Sequence, residues 1–159
     1  MNTRRTCRWL LSSLVAAASA LSPASAQEVR TVITKAAFDD VQFELTNAVI
    51  ARGLTIDYTG NVAGMLARTG ADVGSTKPIY KAAAYVTFCS AKLSRQMMEA
   101  DPANAAFCPY VIFLYETAAK PGEIVVGYRV PGPGSTEPSK AALTEIDTLL
   151  MSLIREAVK

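Results

Sequence analysis

The chain has 159 residues, with sixteen basic and fourteen acidic side chains, half of its residues apolar, one tryptophan, three cysteines and no histidine. The missing imidazole excludes histidine-based serine and cysteine triads, zinc sites of the His-Glu-x-x-His type and covalent c-type haem attachment. The apparent net charge of +2 comes from the N-terminal segment, and without it the chain lacks the basic footprint that a nucleic-acid partner needs.

Residues 1–26 read as a cleavable signal peptide. Met1 to Arg8 carries Arg4, Arg5 and Arg8 and no acid, and the twelve residues from Trp9 to Ala20 are apolar and uncharged. Pro23 follows, and Ala24-Ser25-Ala26 places small side chains where a signal peptidase reads them, so cleavage is expected between Ala26 and Gln27. A twelve-residue helix rises ~18 Å, short of the ~30 Å of a bilayer's hydrocarbon core, so no permanent membrane span is expected. Cys7 precedes the apolar run, against a lipoprotein anchor, and Arg4-Arg5 lacks the apolar partner of a twin-arginine signal. Export to the periplasm by the general route is the expectation. Loss of 26 residues leaves 133, with thirteen basic residues against fourteen acids, a net charge of −1, no tryptophan and two cysteines, Cys89 and Cys108. A domain of this size buries roughly two thirds of its unfolded surface and needs no disulfide scaffold.

Residues 27–159 predict one α+β domain. Val29 to Thr34 is β-branched and alternating, a first strand. Phe38, Val41, Leu45, Ala48 and Val49 recur at helical steps, with Asp39 and Asp40 in the first turn and Gly53 as the stop. Leu54, Ile56 and Tyr58 alternate with polar residues as a strand with one wet face, ending at Gly60-Asn61. Met65 to Arg68 suggests a short helical turn, and Gly70 to Pro78 a loop. Tyr80 to Cys89 is a strand, and Ser90 caps a helix over 91–100 with Leu93, Met97 and Met98 on its apolar side. Asp101-Pro102 closes that helix. Val111 to Tyr115 is apolar on both faces, a central strand whose second face calls for cover by the last helix or by a partner subunit. Pro121-Gly122 turns the chain into Ile124 to Val130, and a proline- and glycine-rich loop leads to a last helix striped by Leu143, Ile146, Leu150, Leu153 and Ile154. The order β-α-β-β-α-β-β-α predicts a mixed sheet of about five strands with helices packed on it.

Few positions carry chemistry. Gly70 to Lys77 has the glycines of a phosphate loop, but Pro78 follows the lysine where a helix should begin, which favours a solvated connector. The carboxylates Asp39-Asp40 and Glu99-Asp101 lie at helix ends, where capping explains them, and Met97-Met98 at helical spacing reads as core filler before soft-metal ligation. Cys89 and Cys108 remain as the candidate redox or ligand site. A right-handed crossover through the helix at 91–100 would make their strands parallel and place the two cysteines a strand length apart, beyond the ~7 Å that a disulfide spans. Residues 101–107 are long enough to bring the chain back, so a disulfide, two free thiols and a thiolate-ligated metal or haem all stay open. No cofactor is required by the sequence.

Several segments together resemble the bacterial domain-of-unknown-function family 302, in its exported, cysteine-containing branch. They are Phe38-Asp39-Asp40-Val41 to Ala51-Arg52-Gly53-Leu54, Phe88-Cys89-Ser90-Ala91, Met97-Met98-Glu99-Ala100-Asp101-Pro102, and Cys108-Pro109-Tyr110 with Ile112, Tyr115 and Glu116. The resemblance covers most of residues 35–130 and implies a compact α+β fold, commonly dimeric, with no established activity and no catalytic residue to transfer. The expectation is an exported small-ligand-binding or accessory domain acting as a homodimer, its pocket formed by the helix at 91–100 and the cysteine-bearing strand ends. The alternative is a redox, metal- or haem-binding protein using Cys89 and Cys108.

Overall fold

The computed structural model describes residues 27–159, so the signal peptide expected over 1–26, with Ala24 and Ala26, lies outside the described residues. The elements in chain order are β1 (Val29–Thr34), α1 (Phe38–Ala51), β2 (Thr55–Asn61), α2 (Val62–Thr69), β3 (Tyr80–Cys89), α3 (Ala91–Ala100), a 3₁₀ turn (Pro102–Phe107), β4 (Tyr110–Thr117), β5 (Ile124–Arg129) and α4 (Glu137–Ala157). The predicted elements are present, and the helical turn foreseen at Met65 to Arg68 is a two-turn helix. It begins directly after β2 because the Asn61 side chain accepts from the Gly64 amide, a local N-cap.

The strands form one sheet in the order β1-β5-β4-β3-β2. Every pair is antiparallel, including β3 with β4, which corrects the mixed sheet and the parallel β3–β4 crossover. The reason is the 3₁₀ turn. Asp101 ends α3 and accepts from the Ala103 amide, Pro102 starts the next turn, and the chain travels back to the end of the sheet where β3 leaves it. β4 therefore starts beside the end of β3.

Even-numbered positions of β3, β4 and β5 face the helices. Phe88, Ile112, Leu114, Ile124, Val126 and Tyr128 are sealed against Leu45 and Val49 of α1, Met97 of α3, and Ile146, Leu153 and Ile154 of α4. Each such large apolar side chain contributes about 1.5–3 kcal/mol relative to an exposed position. The last helix thus packs on the same face as α1 and α3. It does not cover the second face of β4, where Val111 is 37% exposed while Ile112 is 0%.

Candidate functional site

The end of the sheet that carries both cysteines is built by the antiparallel pairing. Cys89 is the last residue of β3 and Cys108 lies two residues before β4, so their Cα atoms are 6.5 Å apart and they form a disulfide. Ser94 of α3 roofs it: the hydroxyl lies 3.7 Å from Cys108 Sγ and 3.0 Å from the Tyr110 hydroxyl. Burial pushes the Tyr110 phenol up, against a smaller downward effect of Ser94. The structure therefore brings the two predicted cysteines together with α3, and holds them as a cystine whose sulfurs are not thiolates. Among the described residues, no three His, Cys, Asp or Glu side chains converge as metal ligands.

The other singled-out groups have local partners. Asp39 and Asp40 are exposed in the first turn of α1. Glu99 pairs with Arg95 one turn back at 2.9 Å. The Asp101 carboxylate accepts from the Ala103 amide and from the Ser135 hydroxyl, and the Ser135 bond, then the amide, holds it below the usual carboxylate range. Met97 is fully buried in the core.

The open face of the sheet is where the structure adds most. Odd-numbered positions of the central strands present Tyr85 from β3, Val111, Phe113 and Tyr115 from β4, and Val125 and Arg129 from β5, flanked by Val29 and Ile33 of β1 and Tyr58 of β2. Tyr80 joins them, its ring centroid 5.5 Å from that of Tyr115. Val29, Ile33 and Tyr58 are 49%, 57% and 59% exposed. Four of the six tyrosines of the chain therefore stand on the face turned away from α1, α3 and α4, Tyr58 exposed and Tyr80, Tyr85 and Tyr115 half-buried.

Two glycines shape this surface. Gly60 is the register partner of Tyr85, and Gly127 of Phe113. A Cβ at Gly60 would overlap the Tyr85 ring, and one at Gly127 would come within 2.7 Å of Phe113 Cζ. Each ring thus lies down over the glycine of its outer neighbour, which only a missing side chain permits. Tyr85 and Phe113 are themselves directly opposite. Their rings nevertheless lean apart, Tyr85 toward Tyr58 at 5.9 Å and Phe113 toward Tyr115 at 6.1 Å. A hollow of about 440 Å³ at the cysteine-bearing end of the sheet has Tyr85, Val111, Phe113 and Arg129 in its wall, together with Phe107 and Pro109 and, from the helical side, Ile146 and Leu150 of α4. Sequence reasoning found the two-sided apolarity of β4 but missed Tyr85, Arg129 and the glycines. The available signal was a glycine inside each of two strands, Gly60 and Gly127.

A family model, that of the domain of unknown function DUF302, matches residues 29–156. The crystal structure of an uncharacterized conserved DUF302 protein from Bacillus stearothermophilus is similar in fold. It gives a TM-score of 0.65 at 13% identity, over 82% of this chain and 98% of that one. No curated protein matches the chain.

Proposed function

The chain belongs to the DUF302 family, and from that premise we propose that it is an exported, periplasmic binding or accessory domain that works through the open face of its sheet. The observation that carries this reading is the aromatic surface of exposed Tyr58 and half-buried Tyr80, Tyr85, Phe113 and Tyr115, continued by exposed Val29, Ile33 and Val111. A soluble domain rarely leaves so continuous an apolar surface without an occupant. Export is supported by the charged and apolar pattern of residues 1–20, the small residues before Gln27, and a disulfide that an oxidising compartment would preserve. The same disulfide disfavours the alternative in which Cys89 and Cys108 ligate a metal or haem, because ligation needs thiolates.

The domain acts as a homodimer in this reading, and β1 is the element suited to join two copies. Its six residues pair with β5 in unbroken register, it contains no proline, and no described strand pairs its outer edge. The other edge, β2, is broken by an irregularity between Ile56 and Tyr58, which blunts it.

The reading is tested by chemical-shift mapping of the mature chain with 2-naphthalenemethanol, a neutral aromatic probe. Shifts concentrated on Tyr85, Val111, Phe113 and Tyr115 are expected; shifts confined to the helical side, or none, would sink it. Periplasmic material should begin at Gln27, and a chain that keeps Met1 there would overturn the cleavage.

A further inference from the structure

We propose that the hollow between Tyr85 and Phe113 takes a flat apolar anion, an aromatic carboxylate in chemical class, with Arg129 holding the carboxylate. The proposal rests on the open face being a binding surface and names the ligand chemistry of that face.

Arg129 is the only charged side chain that β3, β4 and β5 place on the open face. The other strand arginine, Arg30, is directed to the helical side and engages Glu28 and Asp147. Arg129 is exposed and forms no ion pair with a described carboxylate, so its guanidinium retains its five donors. It lines the same hollow as the Tyr85 and Phe113 rings and Val111. Rings that lean away from each other leave a slot, and their faces offer stacking surface to a planar body. A guanidinium fork at the end of that slot matches a carboxylate bidentately, in surroundings where the neighbouring groups are apolar. A cation alone would suit any anion and rings alone any aromatic; both together select a molecule that has both parts. The volume of about 440 Å³ lies within the range of small-molecule sites.

The test uses the mature chain, 2-naphthoate and its neutral counterpart 2-naphthalenemethanol, titrated by calorimetry. Wild type should bind the carboxylate about tenfold or more tightly than the alcohol, as a charge-assisted pair predicts, and added salt should narrow the difference. Arg129→Gln should remove that preference while leaving binding of the alcohol unchanged, and Arg129→Lys should restore only part of it. Phe113→Leu should weaken both probes and should melt within a few degrees of wild type. Equal binding of both probes by wild type, or a preference that survives Arg129→Gln, overturns the anion assignment while the binding face stands. If neither probe binds and the chain is a dimer that Val111→Asp splits, a second copy occupies the face, and both the anion assignment and the reading beneath it fail.

Discussion

Asn104 is 4% exposed between α3 and α4, and its amide donates to the Met97 carbonyl and to Ser139 Oγ, both at 2.8 Å. Ser139 is itself fully buried, so the pair ties the turn after α3 to the first turns of α4. Asn104→Ala should cost about 1–3 kcal/mol, the usual effect of removing a buried hydrogen-bonding group. Urea unfolding should show a lower midpoint with an unchanged slope, and an unchanged midpoint would remove the tie. Glu116 is the second buried polar anchor. It accepts from the Gly122 amide at 2.6 Å and from Lys81 at 2.9 Å, and these bonds, the amide first, hold its carboxyl below the usual range. A carboxyl depressed on folding adds stability above its unfolded value, and that stability is lost as the pH falls through the folded one. Stability measured from neutral pH downward should therefore decline less steeply for Glu116→Gln than for wild type, and parallel acid limbs would refute this. Asp101 was readable as a cap because its partner is two residues away. Glu116 was not, because its partners come from a turn and from a neighbouring strand.

At the scale of elements, most of the fold was legible because the periodicity changes where the elements change. α1 shows this: Val41, Leu45, Ala48 and Val49 fall on its buried stripe. Strand direction was not legible. It depends on where the 3₁₀ turn at Pro102–Phe107 delivers the chain, and six residues with no hydrophobic period carry no sign of direction. The cysteine geometry inherits that ambiguity, since antiparallel pairing alone brings Cys89 beside Cys108. They lie nineteen positions apart in sequence, and a loop of that size implies roughly 3 kcal/mol from the cross-link. The double variant Cys89→Ser, Cys108→Ser should still fold, because the cluster around Leu45, Phe88, Ile112 and Leu153 does not depend on the bridge. Its melting temperature should fall by about 10 °C. An unfolded double variant would make the bridge a condition of folding. Thiol titration of the denatured, unreduced mature protein should find none, and two thiols would contradict the disulfide.

For the whole molecule, α1, α3 and α4 sit on one side of the sheet, and the other side carries a partly exposed apolar surface. The two-sided apolarity of β4 called for cover on both faces, but the sequence could not say that α4 joins α1 and α3 on the first. Once α4 is placed with α1 and α3, the proposal divides the two exposed features, giving the aromatic face to a ligand and the β1 edge to a second copy. Edge pairing of two β1 strands would extend the sheet to ten strands and keep both open faces accessible, so dimerisation and ligand binding need not compete. In an antiparallel strand, neighbouring N–H groups point to opposite edges, so of Thr31 and Val32 one donates toward β5 and the other outward. Proline at the inward position removes a ladder bond and should destabilise the domain, whereas proline at the outward position leaves the ladder intact. Light scattering of the mature wild type should give the mass of two 133-residue chains. The better-folded of Thr31→Pro and Val32→Pro should give the mass of one and still bind the aromatic probe. A monomeric wild type would remove the dimer, and a well-folded proline variant that stays dimeric would move the interface away from β1.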